Sequence, residues 1–92
     1  MHRTTERFWK CFEKLPIYIQ RLAEDNFELL KNDPKHPSLH FKKVGQFWSA
    51  RVGLDYRALS FDDGEGFIWV WIGTHDEYQR IINRDKIGKL TK

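Results

Sequence analysis

Several residue types are scarce in this sequence, and each scarcity excludes a class of protein. Cysteine occurs once, at Cys11, so no disulfide forms within the chain and Cys11 is expected to be a small apolar residue of the interior. No apolar run reaches the roughly 18 residues that a membrane-spanning helix needs. Met1 leads directly into a polar, charged segment rather than a signal peptide. We therefore expect a cytoplasmic protein with no membrane partner.

Aromatic and charged side chains, in contrast, are abundant. The 92 residues include seven Phe, four Trp and three Tyr, and 32% of the chain is charged. A chain of this length buries only about 60–65% of its unfolded surface, so we expect a small aromatic core and a single domain that spans residues 1–92. The net charge of +3 indicates, weakly, an anionic partner.

Two helices are predicted in the first third of the chain. Thr4 or Thr5 is a suitable N-cap for a helix that runs to about Lys14. Pro16 suits the first position of a second helix, whose apolar residues recur with helical spacing until Pro34 ends it. Two consecutive helices with so short a break between them form an antiparallel hairpin with one apolar side.

Strands are predicted after the helical hairpin. The four candidates, which turn-forming residues separate, are residues 39–44, 47–52, 56–61 and 67–72. Thr74 and Glu77 then form the pattern of a capping box, so a short third helix begins at His75, and from Arg84 onward the tail is basic and mostly polar. The predicted fold class is α+β: an N-terminal helical hairpin packed on an antiparallel β-sheet, with a short C-terminal helix.

A β-hairpin around residues 53–55 lies at the centre of the predicted sheet. If the turn occupies those three residues, Val52 faces Tyr56 and Arg51 lies directly across from Arg57 on the same face. Like charges in such a pair destabilise a sheet, and an anion between the two guanidinium groups removes this penalty. The alternatives are that both arginines pair with nearby carboxylates or point into water, and the pattern alone leaves them open.

The assignment of the two sheet faces depends on the register of the last two strands, because a one-residue slip would exchange the faces. If Phe61 pairs with Phe67, Arg57 lies opposite Trp71. In that register the aliphatic side chains of the last strand share the face that packs on the helices. The opposite face then carries four large or charged side chains: Arg51, Arg57, Trp69 and Trp71.

His75 is a candidate general acid or base. It occupies the first position of the third helix, next to the strand end that the arginines approach. Imidazole is the side chain whose ordinary titration lies nearest neutral pH, as proton transfer in catalysis requires. Two arginines and a histidine at one end of a sheet form a candidate phosphate site, whereas a histidine at a helix start is, taken alone, an ordinary surface residue.

Such a site has the parts that RNA cleavage needs. Cleavage through the ribose 2′-hydroxyl requires a base, cations for the phosphorane and an acid for the leaving 5′-oxygen, so no metal or cofactor is expected. Tyr78 and Trp71 offer rings on which bases stack, and Lys42 and Lys43 offer charge for RNA binding. Core packing of the rings and a solvated strand end at the lysines are the alternatives.

Other chemistries fit the sequence poorly. His36 and His40 have the spacing of metal ligands, but Pro37 lies between them and no cysteine cluster accompanies them, so a zinc site is not expected. The chain has no glycine-rich phosphate loop between a strand and a helix, and no serine on a nucleophile elbow. The arginine and histidine cluster is therefore the candidate site.

Four segments carry a resemblance to a known family: residues 33–39, 48–53, 55–59 and 69–78. Their most specific parts are the Tyr56-Arg57 step and the Gly73-Thr74-His75 end of the last strand. With the order of helical hairpin, sheet and terminal helix, the chain resembles the RelE/ParE superfamily of bacterial toxin–antitoxin toxins over nearly its whole length.

The resemblance implies a small bacterial toxin that a cognate antitoxin neutralises. RelE-like members cut mRNA, typically on the ribosome, by attack of the 2′-hydroxyl, whereas ParE-like members block DNA gyrase and lack the nuclease residues. We expect an mRNA-cleaving endoribonuclease, with RNA and the antitoxin as partners. The alternative is a ParE-like toxin that acts on gyrase, or a nucleic-acid-binding module without catalysis.

The resemblance also implies roles for single residues. Arg57 matches the arginine that RelE-like nucleases use at the phosphate, and Arg51 matches a strand position that is basic in some members. His75 stands where nuclease members carry Arg or His, and Tyr78 corresponds to the terminal aromatic residue of some members. Ser49 stands where one nuclease branch has a second lysine, so the full basic set of that branch is absent.

Overall fold

A five-stranded sheet with helices on both faces forms the fold. A computed structural model describes the backbone of residues 1–90 and the side chains of residues 1–84. In chain order, the elements are β1 (His2–Thr4), α1 (Glu6–Glu13), α2 (Ile17–Asn32), a 3₁₀ turn (Pro37–Leu39), β2 (Lys42–Val44), β3 (Phe47–Val52), β4 (Tyr56–Asp62), β5 (Phe67–Thr74) and α3 (His75–Leu90). The strand order is β1-β5-β4-β3-β2. The predicted α+β class is confirmed.

The helical hairpin forms as predicted. The Thr5 hydroxyl accepts the Phe8 N–H at 3.1 Å and caps α1, while Pro16 precedes α2. Both helices pack on one face of the sheet, where Ile19 and Leu30 of α2 are buried. No helix in the described part of the chain has the length and apolar character to cross a membrane.

The sheet differs from the prediction at its two edges. β1 runs parallel to β5, so the sheet is mixed rather than wholly antiparallel. The strand predicted at residues 39–44 is too long: its start is the 3₁₀ turn, and His40 then takes a left-handed conformation (φ 44°, ψ 41°) before β2 begins. Alternation of apolar residues did not reveal this turn, because Leu39 is buried with the core although it lies outside the strand.

The central hairpin has the predicted register. Val52 pairs with Tyr56, and Arg51 pairs with Arg57. The turn requires Gly53, whose φ is +63° and whose position would bring a Cβ to 2.9 Å from Leu22 Cδ2. The turn geometry and the alternation of β3 together therefore fix the arginine pair.

The predicted register of β4 with β5 is wrong. Phe61 pairs with Ile68 rather than Phe67, and Arg57 pairs with Gly73 rather than Trp71. The pairing shifts at an irregularity beside Leu59 and Ser60, where the ladder passes from Trp69 directly to Trp71 and leaves Val70 unpaired. Because of this extra residue, side chains two positions apart on either side of Val70 point to opposite faces of the sheet, whereas in a regular strand they share a face.

This shift changes the composition of the two sheet faces. We call the side covered by α1 and α2 the hairpin face and the other side the α3 face. Trp69 belongs to the hairpin face, with 3% of its surface exposed, so its predicted place beside the arginines is wrong. Trp71 lies on the α3 face as predicted, and Ile72 joins Ala58 on the hairpin face.

Helix α3 covers part of the α3 face. It continues through the basic tail to Leu90 and is therefore longer than the short helix that was predicted, while residues 91–92 lie outside the described residues. Tyr78 and Ile82 pack on Leu59, which has no exposed surface. The strand ends that carry the arginines lie beside the start of this helix.

Candidate active site

Three residues on neighbouring strands form a row at the end of the α3 face: Arg51 on β3, Arg57 on β4 and Gly73 on β5. We call this the arginine row. The space that a Cβ of Gly73 would take is filled by the Trp71 indole and the Glu77 carboxylate. The missing side chain therefore lets the Trp71 ring reach the row next to Arg57.

Arg57 is fixed by its own turn. Its Nη1 donates to the backbone oxygens of Tyr56 at 2.8 Å and Leu54 at 3.4 Å. Burial lowers the pKa of Arg57, and the charge of Arg51 lowers it further, while Tyr78 and Asp55 act in the opposite direction. The guanidinium is still cationic at neutral pH, so two positive charges lie side by side at a partly buried position.

Arg51 is held at one end of its guanidinium. Nη1 lies 3.1 Å from Nε2 of His40, whereas Nε is buried and has no hydrogen-bond partner among the described side chains. Neither Arg51 nor Arg57 forms an ion pair with a carboxylate within residues 1–84. Within residues 1–84, pairing with Asp or Glu, one of the alternatives for this couple, is therefore not what holds the two arginines.

His75 begins α3, and the capping box before it forms as predicted. The Glu77 N–H donates to the Thr74 hydroxyl at 3.2 Å, and the Thr74 N–H donates to the Glu77 carboxylate at 3.1 Å. The His75 N–H donates to the Asp55 carbonyl at 2.7 Å and so ties the helix start to the β3–β4 turn. This bond places His75 beside the turn that also anchors Arg57.

Tyr78 lies close to both His75 and Arg57. Its ring centroid is 5.9 Å from that of His75, and it lies near enough to Arg57 to act, as a smaller influence than burial and Arg51, in the direction that raises the pKa of Arg57. Only 8% of Tyr78 is exposed, because the ring packs with the core under α3. Little of the ring face is therefore free for a base to stack on.

The remaining predicted contacts divide between the two faces. Lys42 pairs with Ser49 on the α3 face, one row from the arginines, whereas Lys43 pairs with Trp48 on the hairpin face. Both lysines are exposed. Trp71 is half-buried beside the arginine row. Lys42 and Trp71 thus share a face with Arg51, Arg57 and His75, and Lys43 does not.

Reasoning from the sequence missed His40. The spacing of His36 and His40 resembles that of metal ligands, but in the structure His36 bonds Ser38 and His40 bonds Arg51. The available signal was the spacing between His40 and Lys42, since the β2–β3 register that pairs Lys42 with Ser49 brings His40 level with Arg51.

Comparisons with known proteins agree with this fold. A family model for the ParE-like toxin domain matches residues 18–80. The chain is similar to one in the crystal structure of the RelB-RelE antitoxin-toxin complex from Methanococcus jannaschii, with a TM-score of 0.68 and 18% sequence identity. That similarity covers 86% of this chain and 96% of the other, and no curated protein matches the sequence.

At 18% identity the solved structure shows the fold, whereas the family match, which spans more than half of the chain, shows descent. The structural similarity agrees with the helical hairpin and the sheet described above. The chain belongs to the ParE-like toxin domain family, and it is a toxin of the RelE/ParE superfamily of toxin–antitoxin systems.

Proposed function

We propose that this toxin is an endoribonuclease that cleaves mRNA by attack of the ribose 2′-hydroxyl. The observation that carries the proposal is the arginine row. Arg51 and Arg57 are direct neighbours across β3 and β4, neither pairs with a carboxylate among the described side chains, and His75 begins a helix at the same sheet end. A phosphodiester offers the negative charge that such a pair lacks.

The reaction assigns a task to each group. The 2′-oxygen attacks phosphorus while its proton passes to a base, and the 5′-oxygen leaves with a proton from an acid. The products are a 2′,3′-cyclic phosphate and a 5′-hydroxyl. His75 carries one of the two proton transfers, and Arg57, with Arg51 beside it, stabilises the negative charge of the phosphorane.

RNA binding in this proposal uses the rest of the α3 face. Lys42 supplies charge one row from the arginines, and the half-buried Trp71 ring reaches the row over Gly73. In this proposal the largely buried Tyr78 ring packs against His75 near Arg57 and supports the site rather than stacking on a base. Lys43, on the hairpin face, contributes only to the general attraction of RNA.

The proposed protein partner is an antitoxin with an acidic, amphipathic segment. The chain carries a net charge of +3, and the helical hairpin exposes Trp9 (46%), Ile17 (63%) and Tyr18 (71%). Large apolar side chains exposed together mark interaction surfaces. The similar chain from M. jannaschii was solved in an antitoxin–toxin complex.

The experiment is cleavage of a defined mRNA in a translating extract by the purified toxin. Primer extension locates the cuts, and end-group analysis tests for the cyclic phosphate and the 5′-hydroxyl. We expect both ends at discrete sites, and we expect co-purified antitoxin to suppress the cuts. Absence of cleavage by folded protein, or products with a 5′-phosphate, contradicts the proposal.

A second candidate function follows from the matched family model, which is that of ParE-like toxins. In this alternative the toxin blocks DNA gyrase and cuts no RNA. A supercoiling assay with purified gyrase measures it directly. Inhibition of supercoiling by a preparation that leaves mRNA intact favours the gyrase function over the nuclease.

A further inference from the structure

His40 lies outside the residues assigned to catalysis, yet it touches one of them. Its Nε2 is 3.1 Å from Nη1 of Arg51. A guanidinium nitrogen can only donate, so Nε2 is the acceptor in this contact and the ring carries its proton on Nδ1. His40 therefore meets Arg51 as a neutral hydrogen-bond acceptor rather than as a third cation.

The backbone at His40 is unusual. Among residues 1–90 it is the one residue other than glycine with a positive φ, and a Cβ makes that left-handed region unfavourable. The His40 N–H closes the 3₁₀ turn by donating to the Pro37 carbonyl at 3.3 Å. Leu39 just before it is buried, with 1% of its surface exposed. The bend separates the two side chains, so that Leu39 enters the core while the His40 ring reaches Arg51.

Arg51 has a cationic neighbour, Arg57, on one side and a neutral neighbour, His40, on the other. Arg57 pairs with it across β3 and β4, and repulsion between the two guanidinium groups favours a conformation in which Arg51 turns away. His40 lies on the β2 side and holds Nη1, while Nε has no hydrogen-bond partner among the described side chains. Within residues 1–84, His40 thus provides the side-chain contact that opposes this movement.

We propose that His40 is a positioning residue, which holds the Arg51 guanidinium beside Arg57 so that the two arginines form one site for the phosphodiester backbone of single-stranded RNA. The choice of RNA as the anion rests on the function proposed above. The hydrogen bond, the left-handed bend and the arginine pair are independent of it.

A double-mutant cycle tests this role. The probe is a fluorescent single-stranded 2′-O-methyl oligonucleotide, which the toxin cannot cleave, and anisotropy gives its Kd. His40→Gly removes the ring but suits the left-handed backbone, so binding should weaken by about threefold to tenfold without a lower unfolding temperature. In an Arg51→Ala background the same change should have less than about a twofold effect, because its target is gone.

Two variants serve as controls. His40→Gln keeps an acceptor near the position of Nε2 and should restore binding to within about twofold of the wild type. His36→Ala removes another histidine of the same connector, which bonds Ser38 instead of Arg51, and should leave the Kd of the oligonucleotide unchanged.

The outcomes separate this inference from the proposed function. Equal weakening by His40→Gly with and without Arg51, no weakening at all, or failure of the wild type to bind the oligonucleotide overturns the positioning role. Binding with the expected coupling, from a toxin that cuts no mRNA, refutes the nuclease and supports the positioning role. Cleavage of mRNA without the expected coupling supports the nuclease and refutes the positioning role.

Discussion

The two faces of the sheet differ in what they bury. The hairpin face is closed by α1 and α2 over aliphatic and aromatic side chains such as Ala50, Trp69 and Ile72, each at most 6% exposed. The α3 face is divided: Leu59 is fully buried under α3, while the arginine row beyond the helix start keeps two cations close together. The apolar burial that stabilises the fold is therefore concentrated on one side of the strands, and the proposed chemistry on the other.

This division has an energetic reason. Like charges paired across strands cost stability, and burial of Arg57 adds to that cost, as its lowered pKa indicates. The α3 face can carry the cost because the hairpin face provides most of the apolar burial. Substitutions in the arginine row should therefore change activity more than stability, and substitutions on the hairpin face should do the opposite.

The largest effect is expected at His75. His75→Ala removes one proton transfer and should lower cleavage by about 10²–10⁴-fold, with an unfolding temperature close to that of the wild type. His75→Gln retains hydrogen bonding but cannot exchange a proton, so it should not restore the rate. Cleavage by folded His75→Ala at the wild-type rate removes His75 from the mechanism.

The second-largest loss of cleavage rate is expected on substitution of Arg57. Arg57→Ala deletes a donor aimed at the phosphorane and should cost about 10²–10³-fold in cleavage rate. Arg51→Ala should cost less because Arg57, anchored on Leu54 and Tyr56, stays in place. The measurement is single-turnover cleavage with thermal unfolding of each variant. An Arg51 effect larger than the Arg57 effect contradicts this ranking.

The arginine pair shows how far the sequence determines the site. Its register follows from the turn at Gly53 and the alternation of β3, both of which are visible in the sequence. The capping box that presents His75 is equally local. Features set by neighbours in the chain were therefore predictable.

Features that depend on contacts between residues far apart in the chain could not be predicted from the sequence. All residues from Phe67 to Ile72 are apolar, so no alternation could reveal the unpaired Val70 that moves Trp69 to the hairpin face. β1 has three residues, too few for a periodic pattern, and it is held by pairing with β5. The contact of His40 with Arg51 depends on a left-handed bend, and although histidine is enriched in that conformation, it is too uncommon for the sequence alone to place it at His40.

A matched pair of truncations on β5 tests the hairpin face. Ile72, 3% exposed, borders a cavity of about 90 Å³ between the helices and the sheet, so Ile72→Ala enlarges that cavity and should cost about 2–5 kcal/mol of unfolding free energy. Ile68→Ala, on the half-buried α3 face, should cost less. Each kcal/mol lowers the unfolding temperature by about 4–8 °C in a chain of this size.

Both isoleucine variants should cleave RNA at the wild-type rate per folded molecule, since neither residue belongs to the arginine row. Activity measured well below each unfolding temperature provides this control. A loss of activity in stably folded Ile72→Ala would mean that the hairpin face also shapes the site, and the division between the faces would not hold.

The smallest effect is expected from acid at the capping box. The Thr74 N–H, and then its hydroxyl, lower the pKa of Glu77 from its ordinary 4.5, while burial acts weakly in the opposite direction. A folded-state pKa below the unfolded one means that the carboxylate contributes stability that is complete above about pH 4.5 and is lost as the pH falls through the folded value. Because Glu77 is largely exposed, solvent screening keeps this contribution small.

Unfolding temperatures at pH 6 and pH 3 measure this contribution. Between these two values the wild type should lose more stability than Glu77→Gln, which has no carboxylate to protonate. Thr74→Ala should fall between them, because it removes the hydroxyl but keeps the backbone N–H that contributes most to the shift. The capping box begins the helix that covers the α3 face. If the unfolding temperatures of the wild type and Glu77→Gln fell equally between pH 6 and pH 3, acid would be acting elsewhere in the fold. The start of α3 would then lack this electrostatic support.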